Sequence, residues 1–262
     1  MSTDPTHTAL YVSLPTEMAQ PALGQPVSGL STGRRTRIKI CGLTREHDVD
    51  AAVQAGADAI GFVLYPQSLR CVTPQRAREL ARRLPPFVTP VLLFVNASAT
   101  EIVAACAMVA GAIVQFHGDE TPEDCQLTTG NGARPYLRAA RIPLGEGAAS
   151  FDLVKYANDF SNAQAILLDA HVEGFGGGGK VFNWSLLPPN VNAHLVLSGG
   201  LTPANVGDGI AQVRPRCKSL AVDVSSGVEV LDAAGKPLRG IKDPEKIFQF
   251  VTAVRAADKL FL

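Results

Sequence analysis

The sequence predicts an α/β protein: a single-domain (β/α)8 barrel at residues 37–262, preceded by a disordered extension at residues 1–36. Three observations indicate this fold. After residue 36, short apolar runs alternate eight times with helix-like stretches. Most runs are continuously apolar, as in parallel strands that are buried on both faces, and polar residues gather where the runs end. An open doubly wound sheet is the competing interpretation.

The predicted strands follow one another along the chain with helix starts between them. They are Arg37–Cys41, Ala59–Leu64, Pro90–Val95, Ala112–His117, Tyr136–Ala140, Ala165–Asp169, Leu195–Ser198 and Leu220–Val224. Four helix starts place a capping residue before a proline, namely Thr73-Pro74, Thr121-Pro122, Thr202-Pro203 and Asp243-Pro244. Ser98 and Glu101 form a capping box. Pro188-Pro189 shortens the sixth helix to a stub.

Charge and composition exclude several classes of function. The 24 basic residues balance 24 acidic ones, so the chain lacks the basic surface on which non-specific nucleic-acid binding rests. No apolar run approaches the roughly 20 residues that span a bilayer. The five cysteines are odd in number and form no CxxC pair, which favours reduced thiols in the cytoplasm over a disulfide scaffold. We therefore expect no nucleic-acid or membrane partner.

Residues 1–36 differ from the rest of the chain. They are rich in Thr, Ser, Pro and Gly, and their apolar residues have no sustained period. A secretory signal is not expected, because Asp4 stands where positive charge belongs and no apolar core follows. The composition predicts a disordered tail, and a targeting segment or an ordered arm are the alternatives.

Reactive side chains follow several predicted strands at one end of the barrel, where such folds carry their chemistry. Strand 1 ends in Cys41-Gly42, strand 2 leads to Arg70, and strand 6 ends in Asp169. Strand 4 carries Gln115 and His117 at its end, and strand 8 closes with Asp223-Val224. The sequence therefore predicts one site at this mouth.

The loops after strands 7 and 8 fit an anion. Glycines let backbone N–H groups approach a ligand, serine hydroxyls add donors, and a helix that begins at Thr202-Pro203 would direct its positive end there. The candidate phosphate-binding residues are Gly199, Gly200, Leu201, Ser225, Ser226 and Gly227. The alternative is that Gly199-Gly200 forms an ordinary tight turn.

Cys41 and Asp169 are the candidate catalytic residues. Asp169 closes an apolar run, and a carboxyl at the rim of an apolar pocket has a raised pKa and can act as a general acid. Cys41 can serve as a nucleophile or base if a nearby positive charge favours the thiolate. The structural alternatives are a capping aspartate and a cysteine buried as a small hydrophobe. No spacing of His, Cys and carboxylate residues matches a metal site.

The glycine-rich segment 174–180 partly matches two nucleotide-binding motifs. Val181 replaces the Ser or Thr with which a P-loop holds magnesium. A dinucleotide fingerprint needs an acidic residue about 20 positions on, and none occurs between Glu173 and Asp208. A mobile loop that covers a barrel mouth is the favoured interpretation.

Several short segments together resemble one enzyme family. They are Lys39–Thr44, Gly61–Val63, Val114–Gly118, Leu167–Asp169, Phe182–Trp184, Ser198–Pro203, Val222–Glu229 and Lys242-Asp243. In this order they resemble the phosphoribosylanthranilate isomerases of tryptophan biosynthesis, over roughly residues 37–255.

The resemblance implies a (β/α)8 TIM barrel that needs no cofactor or metal. It implies an Amadori rearrangement of N-(5-phosphoribosyl)anthranilate to 1-(2-carboxyphenylamino)-1-deoxyribulose 5-phosphate. Asp169 would be the general acid, Cys41 the general base, and Arg70 the partner of the anthranilate carboxylate. Further substrate contacts would come from Gln115, His117 and Asp223, and the two glycine and serine loops would hold the phosphate. The partner would be a small phosphosugar, and the protein a monomer or a homodimer.

The chain departs from the family pattern in places. Leu69 replaces a proline before Arg70, Gly178 replaces a common threonine, and the segment Val230–Ile241 is longer than usual and predicts a surface loop. Neither candidate catalytic residue is affected.

Three other functions stay open at this point. A pentose-phosphate epimerase would need metal-ligating residues at several strand ends, where only His117 and Asp169 are suitably placed. The related sugar isomerase of histidine biosynthesis typically has Asp where Cys41 stands. A non-enzymatic barrel would bind an anthranilate phosphate ligand without turnover.

Overall fold

The computed structural model describes residues 35–144, 147, 150–170 and 182–261. The predicted tail, apart from its last two residues, and the predicted glycine loop at 174–180 lie outside this part of the chain. Within it, no helix is long and apolar enough to cross a membrane.

Eight parallel strands close into a barrel, as predicted. They are β1 Arg37–Cys41, β2 Ala59–Val63, β3 Thr89–Phe94, β4 Ile113–Phe116, β5 Tyr136–Ile142, β6 Ala165–Ala170, β7 His194–Leu197 and β8 Ser219–Val224. Each pairs with the next, and β1 also pairs with β8 in the register Ile38↔Val222. This last pairing closes the barrel and excludes the open sheet.

Helices connect the strands on the outside of the barrel. They are α1 Glu46–Ala55, α2 Pro74–Ala81, α3 Ala99–Met108, α4 Pro122–Thr128, α5 Leu153–Asp159, α6 Val206–Val213 and α7 Pro244–Lys259. The predicted caps at Thr73, Ser98, Thr121 and Asp243 are confirmed, since each side chain accepts a backbone hydrogen bond from the first turn. The predicted stub after β6 is the short 3-10 turn Trp184–Leu186.

The helix start predicted at Thr202-Pro203 is wrong. The side chain of Asn205 accepts a hydrogen bond from the Thr202 N–H at 2.8 Å and donates to the Gly200 carbonyl at 3.0 Å. These bonds hold the segment in a turn, and α6 begins only at Val206. The N-terminus of α6, with the positive end of its helix dipole, is therefore farther along the chain from Gly200 than the sequence predicts.

The segment Val230–Ile241 is a β-hairpin rather than a surface loop. Strand β9, Glu229–Leu231, pairs antiparallel with β10, Pro237–Lys242. Asp232 and the positive φ of Gly235, 75°, form the turn between them. The first and last residues of this hairpin, Glu229 and Lys242, are buried.

Strand alternation separates the outer core from the barrel interior. Ile38 and Ile40 of β1 join the apolar core that includes helix residues such as Val49, whereas Lys39 and Cys41 alternate with them and face inward. Ala139, Leu167 and Val196 form a separate apolar cluster inside the barrel. The interior is therefore apolar in part and polar near the ends of β1, β4, β6 and β8.

A polar clasp fastens the start of β1 to the end of α7. The Thr36 backbone N–H and hydroxyl both donate to the carboxylate of Asp258, at 3.0 and 2.6 Å, and Thr36 is buried. Arg214 donates to the same hydroxyl and carboxylate, and Arg255 donates to the Thr36 carbonyl at 2.7 Å. The clasp lies at the end of the barrel opposite the predicted site.

Replacing Asp258 by alanine should therefore lower the free energy of unfolding by about 3 kcal/mol, because it removes the acceptor that Thr36 and Arg214 share in a largely buried place. Urea unfolding at neutral pH measures the change. The matched control is Asp159→Ala, which removes an exposed pair with Lys155 and should leave the unfolding midpoint unchanged. Equal midpoints for both variants would contradict a stabilising clasp.

Candidate active site

The carboxyl ends of the strands bring the predicted catalytic residues to one mouth of the barrel. Cys41 is the last residue of β1, and Asp169 is the last but one of β6, three strands away around the closed barrel. Both side chains are buried and face inward. His117 follows β4, and Asp223 lies near the end of β8 at the same mouth.

Cys41 lies beside a buried ion pair. The Lys39 ammonium donates to Asp223 Oδ1 at 2.9 Å, and both side chains are almost fully buried. A Cβ atom added at Gly61 would lie 2.7 Å from Cys41 Sγ and 2.9 Å from Lys39 Nζ. The Cys41 thiol and the Lys39 ammonium therefore both pack against Gly61 on β2, and a larger residue at this position would overlap with them.

Burial and charge act in opposite directions on the Cys41 thiol. Burial raises the pKa of Cys41, and this outweighs the lowering effect of Lys39 and of the more distant Lys242. Burial also disfavours the charge on Lys39, but Asp223 and Cys41 together outweigh it and raise the pKa of Lys39. In the free protein a thiol thus stands next to a permanent cation.

A hydrogen-bonded chain leads to Asp169 from the opposite side. Gln115 Nε2 lies 3.0 Å from His117 Nδ1, and His117 Nε2 lies 3.0 Å from Asp169 Oδ2. With the Gln115 amide donating to Nδ1, His117 carries its hydrogen on Nε2 and donates it to Asp169. The Ala170 N–H donates to the other carboxylate oxygen at 3.0 Å. Asp169 therefore has polar partners, not only the apolar rim expected from the sequence.

The backbone around His117 is held by a second buried ion pair. Arg138 donates to the Phe116 carbonyl at 3.2 Å and to the Gly118 carbonyl at 3.1 Å, on either side of the histidine. Glu120 accepts from Arg138 at 3.1 Å and from the Gly118 N–H at 2.9 Å. This pair was not predicted from the sequence, although a charged residue in the apolar run of β5 was a visible signal.

Arg70 is buried in an ion pair that was not predicted from the sequence. Its Nε and Nη2 donate to the two oxygens of Glu229 at 2.6 and 2.8 Å. The edge of the guanidinium formed by Nη1 and the second N–H of Nη2 then remains to meet another group. The Arg70 side chain lies over Gly42, where an added Cβ would be 2.5 Å from its Cδ atom.

The two predicted phosphate loops lie against each other. Gly199 and Gly200 both have positive φ, 77° and 65°, which favours glycine. A Cβ at Gly227 would be 1.9 Å from the Leu201 carbonyl oxygen, so this contact also requires glycine. Ser226 begins a 3-10 turn directly after Ser225.

A cavity of about 470 Å³ opens between these loops, the hairpin and α7. Gly200, Thr202, Ser226 and Gly227 line it together with Lys246, which supplies positive charge. Four of the six candidate phosphate residues therefore line this cavity, and Gly199 and Ser225 directly precede them in the same two loops.

Asp223 has structural partners at the mouth. It accepts from Lys39 and, at 3.3 Å, from the Ser198 hydroxyl. Asp223 was predicted from the sequence, whereas its partner Lys39 and the buried ion pair of Glu229 with Lys242 were not. Each of the three was a charged residue within or beside an apolar run.

Known proteins share this sequence and fold. The family model described as N-(5'phosphoribosyl)anthranilate (PRA) isomerase matches residues 38–253. The N-(5'-phosphoribosyl)anthranilate isomerase of Methylibium petroleiphilum is 59% identical over 224 residues, which are 86% of this chain and 96% of the relative.

Two solved structures extend the comparison. The phosphoribosyl anthranilate isomerase of Thermotoga maritima superposes with a TM-score of 0.71 at 37% identity, covering 84% of this chain and 99% of that one. Another such isomerase, in complex with reduced 1-(o-carboxyphenylamino)-1-deoxyribulose 5-phosphate, has a TM-score of 0.68 at 35% identity, with the same coverage. The chain therefore belongs to the N-(5'-phosphoribosyl)anthranilate isomerase family.

Proposed function

We propose that this protein isomerises N-(5'-phosphoribosyl)anthranilate to 1-(2-carboxyphenylamino)-1-deoxyribulose 5-phosphate in tryptophan biosynthesis. The observation that carries the proposal is the pair of inward-facing side chains, Cys41 and Asp169, at one mouth beside two adjoining glycine and serine loops. A solved relative that holds the reduced product adds support from the family.

The reaction needs an acid and a base on different atoms of the sugar. Asp169, protonated, gives its proton to the furanose ring oxygen, and the C1–O bond breaks to leave an iminium ion. The Cys41 thiolate then removes the proton from C2, and that electron pair forms the enolamine. Tautomerisation of the enolamine, with proton return to C1, gives the aminoketose. The substrate supplies all the atoms of the product, so the change is an isomerisation.

His117 supports the acid by donating a hydrogen bond to the negative charge that forms on Asp169. When Asp169 has given up its proton, its carboxylate accepts the hydrogen bond from His117 Nε2. Donors aimed at a developing charge lower the barrier because they need no reorganisation during the step. Gln115 fixes the tautomer in which this nitrogen carries the hydrogen.

Lys39 supports the base. A nearby ammonium stabilises a thiolate more than a thiol, and Lys39 stays charged because Asp223 pairs with it. Burial keeps the pKa of Cys41 high, so the thiolate is a strong base once it forms.

The remaining groups would bind the ends of the substrate. The Nη1 and Nη2 edge of Arg70 would take the anthranilate carboxylate, and the loops at 199–201 and 225–227 would hold the phosphate. Backbone N–H groups, serine hydroxyls and a nearby lysine are the donors that phosphate prefers.

We propose residues 37–262 as the catalytic domain.

The first test concerns the acid and the base. Asp169→Asn and Cys41→Ser should each lower kcat by about 10² to 10⁴-fold, because each removes one proton transfer. The loss of phosphoribosylanthranilate fluorescence, followed with purified protein, measures kcat. Cys71→Ser is the matched control, since it changes an exposed thiol in the same way and should leave kcat unchanged. A near-normal kcat in either test variant would remove that residue from the mechanism.

The second test concerns the charge beside Cys41. Because Lys39 lowers the pKa of Cys41 against the effect of burial, Lys39→Met should shift the midpoint of Cys41 alkylation by iodoacetamide to higher pH. Mass spectrometry of the Cys41 peptide measures the rate at each pH, and the exposed Cys71 in the same sample serves as reference. An unchanged midpoint would mean that Lys39 does not tune the thiol.

The third test concerns Arg70. Arg70→Lys keeps a positive charge beside Glu229 but loses the planar fork that a carboxylate prefers. We expect KM for phosphoribosylanthranilate to rise at least tenfold with a smaller change in kcat. A thermal melt confirms that the variant is folded. An unaltered KM would exclude Arg70 as the carboxylate ligand.

A further inference from the structure

Glu229 is a fully buried carboxylate with four donors around it. Oε1 accepts from Arg70 Nε at 2.6 Å, from the Gly240 N–H at 2.9 Å and from Lys242 Nζ at 3.2 Å. Oε2 accepts from Arg70 Nη2 at 2.8 Å. Burial disfavours the charge, but the bond from Arg70 and the charge of Lys242 outweigh it and lower the pKa of Glu229. One anion therefore joins the loop after β2 to both strands of the hairpin.

Lys242 extends this contact to the second predicted phosphate loop. Its ammonium is fully buried and donates to the Ser225 carbonyl at 2.9 Å and to the Ser225 hydroxyl at 3.3 Å, as well as to Glu229. A continuous chain of polar contacts thus runs from Arg70 through Glu229 and Lys242 to Ser225.

Arg70 and Ser225, the first and last residues of this series of polar contacts, also lie close together beside the candidate base Cys41. A Cβ at Gly42 would lie 2.5 Å from Arg70 Cδ and 3.1 Å from Ser225 Oγ. Arg70 and Ser225 therefore both lie against Gly42, the residue that follows Cys41.

The charges of this cluster do not balance. Arg70 and Lys242 bring two positive charges to the single carboxylate of Glu229, in a place that water hardly reaches. Burial and the positive charge of Arg70 lower the pKa of Lys242 to about 8, in spite of Glu229. A cluster with excess positive charge favours the binding of an anion nearby.

We propose that Glu229 is a positioning residue that sets the separation between the carboxylate-binding and the phosphate-binding ends of the substrate site. Through Arg70 it fixes one end, and through Lys242 and Ser225 it fixes the other. The inference rests on the proposed function, which assigns the anthranilate carboxylate to Arg70 and the phosphate to the loop of Ser225. Neither Glu229 nor Lys242 needs to touch the substrate for this role.

The proposal predicts that Glu229 matters most to a ligand that engages both ends at once. Three probes distinguish binding at both ends from binding at one end. They are reduced 1-(o-carboxyphenylamino)-1-deoxyribulose 5-phosphate, its analogue without the carboxylate, and its analogue without the phosphate. Glu229→Gln should weaken the intact ligand by about 10²-fold, the loss expected when hydrogen bonds to one charged end of the ligand no longer align. It should weaken each one-ended analogue by only a few-fold, because a single end can still adjust.

Calorimetric titration measures the Kd of each of the three probes. The quantity tested is the ratio of the affinity loss for the intact ligand to the affinity loss for each one-ended analogue, here called the probe ratio. A merely structural role of Glu229 would weaken all three ligands by the same factor, and that result would overturn the proposal. Lys242→Met should give the same pattern as Glu229→Gln, and a uniform loss there would also count against it. Asp258→Asn is the matched control, since it removes a buried carboxylate at the other end of the barrel and should not change the ratio.

Two further measurements keep the outcome clear. If Glu229→Gln does not fold, Glu229→Asp keeps the charge but shortens the side chain, and the same selective loss for the intact ligand is expected. Wild-type protein that fails to isomerise phosphoribosylanthranilate would overturn the proposed function itself. Active wild-type protein with an unchanged probe ratio in the variants would overturn only the role of Glu229.

Discussion

The candidate site depends on the register in which β1 meets β8. Lys39 is the register partner of Asp223 there, so closing the barrel brings two buried charges to 2.9 Å. A slip of one residue would turn one of these two side chains toward the helices and leave the other charge buried without its partner, which is costly. The same alternation places Cys41, two residues after Lys39, at the mouth. The same β1–β8 register therefore closes the barrel and places a buried cation beside the Cys41 thiol.

The two sides of the mouth differ in charge. On the side of Cys41 the barrel buries the cations Lys39, Arg70 and Lys242 with fewer carboxylates, whereas Asp169 meets the N–H of a histidine. Cations favour a thiolate, and a carboxylate that accepts one hydrogen bond from a histidine N–H is held less tightly than one paired with a lysine or an arginine. An acid and a base that work at one pH need such unlike surroundings. The asymmetry therefore agrees with the division of roles that we propose.

Local chemistry made much of the fold predictable. Continuous apolar runs marked each barrel strand to within a residue or two, and prolines after Thr73, Thr121 and Asp243 marked helix starts that the structure confirms. These signals act over a few residues, so they can be evaluated without knowing the neighbours. The positions of Cys41 and Asp169 at one mouth followed from the strand ends alone, while their roles stay proposals.

Contacts between distant segments were not predictable in this way. The turn at Thr202 depends on the Asn205 side chain, which competes for the N–H that a helix start would leave free. The partnership of Arg70 with Glu229 joins residues 159 positions apart, and the hairpin that carries Glu229 is rich in turn residues that hide its strands. A charged residue beside an apolar run was nevertheless a usable signal. A buried charge must find a partner, so such a residue in a barrel strand or at its end predicts an unseen ion pair even when the partner is unknown.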